Sequence, residues 1–171
     1  TLFPYTTLFR SSITSAKPQT TRHRILGVVT QPAFQIAFAD TPGFQTQHEG
    51  AMNRIMNRTV TQSITGVEAA VLVLEAGRYG AADKQVAALL PADLPLIVCI
   101  NKTDMADNIH ELLPFVQRLS AQLPASAYVP VSAKKNQGMQ PLLEAIAAQL
   151  PVAAAQFDED TLTDRSERFL A

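Results

Sequence analysis

The sequence predicts an α/β fold with a mainly parallel sheet and helices on both faces. From Arg24 onward, strand-like segments alternate with helix-like ones, which is typical of βαβ crossovers. Two continuous apolar runs, Ala69–Leu74 and Leu96–Ile100, are typical of parallel strands that are covered on both faces. A chain of 171 residues is long enough for one such domain and too short for two of ordinary size.

The individual elements follow in chain order. Ile25–Thr30 and Phe34–Ala39 are separated by a short turn, which predicts an antiparallel pair. The two apolar runs follow, and Ala127–Val131 is a weaker strand candidate. Gly138 and Pro151 bound the last of four helical segments. These segments are Glu49–Thr65, Ala82–Leu90, Asp107–Gln122 and Met139–Leu150.

Composition limits the function classes. The net charge is −1, so no global basic field exists to bind nucleic acid, and we expect no DNA partner. Any RNA contact must come from a local patch or from another part of the protein. Cys99 lies inside an apolar run, which predicts a buried core thiol in a reducing cytoplasm. No apolar stretch approaches the length that spans a bilayer.

Polar motifs directly follow three of the predicted strands. In open α/β sheets, ligands bind beyond the carboxyl ends of the strands. Any one of these motifs could be an ordinary turn, but three in order, each after a strand, indicate a ligand site. They resemble the DxxG, NKxD and SAK motifs of the translation-factor-related GTPases. The motifs are Asp40-Thr41-Pro42-Gly43, Asn101-Lys102-Thr103-Asp104 and Ser132-Ala133-Lys134.

The second and third motifs suit a guanine base. Guanine presents N1–H and an exocyclic amine side by side, and the Asp104 carboxylate could accept both hydrogen bonds. The stem of Lys102 can lie along the base plane, while Asn101 ties neighbouring loops together. The backbone N–H of Ala133 would approach guanine O6. The residues that flank Ala133 would hold this loop in place: Ser132 and Lys134.

The first motif and an upstream segment resemble the phosphate side of Era-type GTPases. That resemblance implies that Asp40 holds Mg²⁺ through a bound water and that the Gly43 amide meets the γ-phosphate of GTP. The segment Lys17–Arg24, which reads KPQTTRHR, resembles switch I of this family. Its threonine would sense Mg²⁺ and the γ-phosphate; Thr21 is favoured over Thr20. The implied catalytic set is Thr21, Asp40 and Gly43, with Thr21 and Asp40 on the metal and GTP or GDP as ligand.

One family motif is missing. The sequence contains no GxxxxGK[ST], whose amides and lysine cradle the β- and γ-phosphates. The resemblance therefore implies a Ras-like G domain that lacks its first strand, P-loop and first helix, with residues 13–151 as the partial domain. Thr1–Ser12 contains neither glycine nor lysine, and we expect it to be foreign sequence without a place in the fold. The sheet would then carry unpaired edges beside Ala69–Leu74.

The C-terminal residues predict a connection to another domain. Ala153–Asp160 is expected to be a linker, and Thr161–Phe169 resembles the junction at which Era-type proteins enter a KH-type RNA-binding domain. Residues 152–171 are therefore expected to be the linker and the start of a missing KH domain.

The resemblance also implies a function for the intact protein. It would hydrolyse GTP and act in assembly of the small ribosomal subunit, binding 16S rRNA through the KH domain. The implied location is cytoplasmic, and peripheral association with the inner face of the cell membrane is also allowed. Two alternatives stay open: a non-catalytic guanine-binding or scaffold fragment, and a related ribosome-associated GTPase with a different partner domain.

Overall fold

A computed structural model describes residues 7–10, 25–40, 66–105, 112–155 and 157 of the chain. Within these residues lie a six-stranded sheet and three α-helices. The strands are β1 (Thr7–Arg10), β2 (Ile25–Gln31), β3 (Phe34–Asp40), β4 (Ala69–Glu75), β5 (Leu96–Asn101) and β6 (Ala127–Pro130). The helices are α1 (Ala81–Ala87), α2 (Leu112–Gln122) and α3 (Met139–Ala147).

The sheet has the order β2-β3-β1-β4-β5-β6. Strands β4, β5 and β6 are parallel, and β2 and β3 form an antiparallel pair. The predicted α/β class is confirmed, and each of the five predicted strands lies within one residue of its expected bounds. The predicted helix over 49–65 and the first residues of the one over 107–122 lie outside the described residues.

Helices α1 and α3 end three residues earlier than predicted. In each, the residues after the helix continue in tighter i→i−3 turns, which are common at helix ends. After α1, Leu90 N donates to Ala87 O at 3.2 Å; after α3, Leu150 N donates to Ala147 O at 3.1 Å. The apolar periodicity continues through these turns, because Leu89, Leu90 and Leu150 still pack against the core. The pattern therefore overestimates the helix length.

Strand β1 occupies the middle of the sheet, at the position where the sequence predicts that a strand is missing. It pairs antiparallel with β3 on one side and with β4 on the other, so that Leu8 lies opposite both Ala39 and Ala70. The expectations that Thr1–Ser12 has no place in the fold, and that the sheet carries unpaired edges there, are therefore wrong. The physical reason is that two strand edges leave backbone groups unpaired, and an extended Thr-Leu-Phe-Arg segment can satisfy both.

The direction of β1 matters for the site. Because β1 runs against β3 and β4, its carboxyl end at Arg10 lies at the sheet edge opposite the carboxyl ends of those strands. Strand β1 is therefore not equivalent to the missing first parallel strand, because a loop that follows it would lie at the opposite edge from the motif loops.

The core has two layers, one on each face of the sheet. Alternate residues of β4 and β5 point to opposite faces, so Leu72 and Val98 pack with α1 and α2, whereas Val71 and Ile97 pack with α3. All four side chains are at most 2% exposed. The two central parallel strands are thus covered on both faces, as the continuous apolar runs predict.

Cys99 belongs to the layer under α3 and is buried, as predicted. Burial raises the pKa of its thiol to about 12, so the group is protonated and unreactive at neutral pH. None of the helices in the described ranges is long and apolar enough to cross a bilayer.

Candidate functional site

The second and third motifs lie side by side at one edge of the sheet. Strands β5 and β6 are parallel and in register, with Ile100 opposite Pro130, so the loops that follow them emerge together. On the other side, Glu75 at the end of β4 lies opposite Asn101. Three successive parallel strands therefore present their carboxyl ends at this edge, which is where α/β sheets bind ligands.

The loop after β5 turns sharply. Lys102 has φ +64°, a left-handed conformation that is uncommon for residues other than glycine. A single 3₁₀ turn over Thr103–Met105 follows, closed by Met105 N donating to Lys102 O at 2.9 Å. Thr103 then ties this loop to the next one, because its backbone N–H and its hydroxyl both donate to Val131 O, at 3.1 and 2.9 Å.

The Asn101 side chain joins the two loops. Its Oδ1 accepts hydrogen bonds from Lys102 N at 2.8 Å and from Ala133 N at 3.1 Å. The Ala133 amide, predicted to meet guanine O6, thus donates to Asn101 here. A carbonyl oxygen that enters the site would accept the hydrogen bond of the Ala133 N–H together with Asn101 Oδ1 or in place of it.

Ser132 is the buried polar residue at the base of the site. Its side chain is fully buried, and its hydroxyl donates to Asp104 Oδ1 at 2.6 Å. Ser132 Oγ also accepts a hydrogen bond from Lys135 N at 3.2 Å, so the hydroxyl is used both as donor and as acceptor. One Asp104 carboxylate oxygen is therefore fixed from beneath, while the side chain stays partly exposed toward solvent.

The pKa of Asp104 is lowered from its ordinary value. The largest cause is the hydrogen bond from Ser132, which favours the ionised carboxylate; partial desolvation opposes it, and the Lys135 and Lys134 ammonium groups add smaller favourable contributions. The carboxylate is therefore ionised at neutral pH and able to accept hydrogen bonds from a ligand.

Replacing Ser132 with Ala is expected to raise the pKa of Asp104 toward its ordinary value, because the largest favourable interaction is lost. With the lowered pKa, ionised Asp104 stabilises the folded state above the unfolded pKa, and this stabilisation is lost as pH falls through the folded pKa. NMR titration of the carboxyl carbon measures the shift. Ser120→Ala is the matched control, since the Ser120 hydroxyl donates to the nearby Gln117 carbonyl on α2, away from the site. An unchanged Asp104 titration in Ser132→Ala would contradict the assignment.

Lys102 makes an ion pair that the motif analysis missed. Its Nζ lies 2.9 Å from Glu75 Oε2, and both side chains are about half exposed. Glu75 could have been found by the same rule that found the motifs, because it directly follows the predicted strand Ala69–Leu74. Thr103 was also missed, although it lies inside the second motif. Lys134, predicted to hold the third loop, is exposed on the 3₁₀ turn over Ala133–Lys135.

The phosphate-side residues are less fully described. Thr21 and Gly43 lie outside the described residues. Asp40 ends β3 at the same edge as the motif loops, since β3 and β4 both run against β1. Thr7 of β1 lies opposite Asp40 on one side and Val71 on the other. Asp40 is therefore level with Val71 in the sheet and does not reach as far toward the motif edge as the end of β4. Among the described side chains, no cluster of three or more His, Cys, Asp or Glu could hold a metal ion.

Comparison with known sequences gives a family match. Residues 1–102 match the 50S ribosome-binding GTPase family. GTPase Era of Bordetella avium (strain 197N) is 52% identical over 160 residues, which cover 94% of this chain and 54% of that protein. GTPase Era of Nitrosomonas eutropha (strain DSM 101675 / C91 / Nm57) is 49% identical with the same coverage. The chain spans about half the length of the curated relatives that it matches.

Solved structures give the same picture. The crystal structure of Era in complex with MgGDPNP and nucleotides 1506–1542 of 16S ribosomal RNA is similar, with a TM-score of 0.74 and 31% identity. The match covers 93% of this chain and 55% of that one. A variant of Aquifex aeolicus Era bound to GDP·AlF4⁻ has the same TM-score, identity and coverage.

Proposed function

This chain belongs to the 50S ribosome-binding GTPase family, and we propose that its loops after β5 and β6 bind the guanine base of GTP or GDP. One observation carries the proposal: the buried Ser132 hydroxyl holds the Asp104 carboxylate at 2.6 Å, beside a loop that Asn101 fixes to its neighbour. A carboxylate oriented in advance loses little freedom when a ligand binds, and this preorganisation favours affinity.

The chemistry of the site matches guanine better than adenine. An ionised Asp104 accepts hydrogen bonds from adjacent N–H groups, which guanine presents at N1 and its exocyclic amine. Adenine lacks that donor pair and would leave the carboxylate unpaired, so the site discriminates against it. The Lys102 stem forms one wall for the base. Its ammonium is held by Glu75 at the end of β4, which restrains the wall.

The phosphate side of the proposal uses Thr21, Asp40 and Gly43 with Mg²⁺. The magnesium, when bound, neutralises charge on the phosphate oxygens. Asp40 would hold the ion through water, Thr21 would sense the ion and the γ-phosphate, and the Gly43 amide would donate to that phosphate. Two observations support this set: Asp40 ends β3 at the edge of the motif loops, and Era structures contain MgGDPNP or GDP·AlF4⁻.

For the protein of which this chain is part, we propose GTP hydrolysis coupled to small-subunit assembly in the cytoplasm. The support is that the matched relatives are named GTPase Era and that Era has been solved with a 16S rRNA fragment. Contact with rRNA would use a KH-type domain that begins within 152–171, after the partial G domain at 13–151 and the foreign segment at 1–12. Peripheral membrane association and the absence of a DNA partner stay predictions.

A second candidate is a guanine-binding module without catalysis. The observation that favours it is the sequence itself, which contains no GxxxxGK[ST]. Without that loop, few groups remain to hold the β- and γ-phosphates. The genomic sequence upstream of the codon for Ile13 discriminates between the two, because a P-loop in frame there supports the hydrolase and an intact gene encoding Thr1–Ser12 supports the module.

We expect the chain to bind GMP in preference to AMP. A ¹H–¹⁵N NMR titration at millimolar ligand measures this, since the base alone would supply most of the affinity. GMP is expected to shift the amide signals of the loops after β5 and β6, and AMP is expected to leave them unchanged. Equal responses to both nucleotides, or shifts confined to other parts of the chain, would contradict the assignment of the base site.

A further inference from the structure

The β2–β3 hairpin holds a residue from the segment that follows α3. The Gln35 side-chain amide makes two hydrogen bonds with the backbone of Phe157: Nε2 donates to Phe157 O and Phe157 N donates to Oε1, each at 2.9 Å. The same Nε2 also donates to Thr30 Oγ1 at 3.0 Å, across the hairpin. The Gln35 side-chain amide therefore bonds both the N–H and the C=O of Phe157, as the backbone of a neighbouring strand would. Thr30 of β2 orients this amide.

An apolar contact reinforces these hydrogen bonds. The Phe157 ring packs against Val28 of β2 and Ala37 of β3, which lie opposite each other in the hairpin and are only 3% and 4% exposed. Ala37 and Gln35 are two residues apart on β3 and so share a face of the strand. Phe157 is therefore held through both its backbone and its side chain.

The described residues between α3 and Phe157 are in a different environment. Residues 151–155 are exposed, and they border a cavity of about 740 Å³ whose other wall is the hairpin turn at 30–35. Gln31 also borders this cavity, and it exchanges side-chain hydrogen bonds with Gln140 at 2.9 and 3.2 Å, which tie the hairpin to α3. The segment thus leaves the end of α3, passes the cavity and is fixed at Phe157.

We propose that the β2–β3 hairpin is a docking surface for the chain's own connecting segment after α3, which it holds at Phe157, and that Gln35 is the latch that fixes where this segment leaves the sheet. The partner that the surface fits is a backbone peptide group that carries one aromatic side chain. Because Gln35 lies on β3, which ends at Asp40 on the proposed phosphate side, the latch connects the position of Phe157 to that strand; this last step rests on the proposed function.

Amide exchange of Phe157, measured by NMR on the whole chain, tests the latch. In Gln35→Leu we expect exchange of the Phe157 amide to accelerate at least about tenfold, as for a buried hydrogen bond that is lost. Gln35→Glu keeps the acceptor for Phe157 N–H but loses the donor to Phe157 O, so an intermediate acceleration is expected. Gln31→Leu is the matched control, because it breaks the hydrogen bonds to Gln140 instead and should leave the Phe157 amide protected.

The outcomes separate the latch from the base site. Fast Phe157 exchange in the unmodified chain, or protection unchanged in Gln35→Leu, would overturn the latch. Amide signals of the loops after β5 and β6 that match the unmodified chain show that the variant is folded. If GMP fails to bind while the Phe157 amide is protected as predicted, the proposed nucleotide site fails but the docking surface stands.

Discussion

Replacing Asp104 with Asn is expected to lower the affinity for GMP about 100-fold or more and to create binding of XMP. A hydrogen bond to a charged group is worth about a tenfold change in affinity or more, and guanine would lose two of them at the Asp104 carboxylate. An asparagine presents a donor where guanine also presents one, whereas xanthine offers a carbonyl oxygen at that position. The substitution should therefore change the preferred base as well as weaken binding.

The NMR titration with GMP, AMP and XMP measures this change of preference. Asp93→Asn is the control, because it removes one exposed carboxylate from the turn before β5, away from the motif loops. GMP binding that survives in Asp104→Asn with its selectivity over AMP intact would contradict the base-site assignment. Loss of GMP binding in Asp93→Asn would show that the effect is one of net charge.

Replacing Gly138 with Ala is expected to lower the free energy of unfolding by about 3 kcal/mol. Gly138 lies between the third motif and α3, with φ +76°. A Cβ there would clash with Pro130 O, a backbone atom of β6 that cannot move without disturbing the sheet. Left-handed strain and overpacking therefore act together, and the loop carrying Ser132 would be displaced.

Urea denaturation of the two variants Gly138→Ala and Gly77→Ala separates these causes. Gly77 has nearly the same backbone conformation, φ +79°, but a Cβ added there would meet no atom within 4 Å. Gly77→Ala is therefore expected to cost only the conformational part, about 1 kcal/mol. Equal losses in the two variants would show that the close approach to Pro130 does not matter.

Much of the fold could be predicted because the information is local. The run Leu96–Ile100 is apolar at every position, which requires cover on both faces, and β5 is buried on both faces. The motif loops could be placed because they follow such strands directly. The Asp104–Ser132 hydrogen bond joins residues that are 28 positions apart, yet both follow parallel strands that turned out to be neighbours.

The parts that could not be predicted depend on pairing between distant segments. Strand β1 has little pattern of its own, and its place follows from two edges that need a partner. Phe157 lies in a stretch whose small and acidic residues predict a linker, and nothing local indicates that Gln35 would hold it. Glu75 directly follows a predicted strand, but its ion pair with Lys102 follows only from the pairing of β4 with β5.

A crystal structure of the chain with GMP tests the central claim most directly. The account predicts guanine N1 and the exocyclic amine within hydrogen-bond distance of the Asp104 carboxylate, with O6 near Ala133 N. Ser132 should keep its hydrogen bond to Asp104 beneath the base. A base bound elsewhere, for example in the cavity beside the β2–β3 hairpin, with Asp104 facing only solvent, would contradict it.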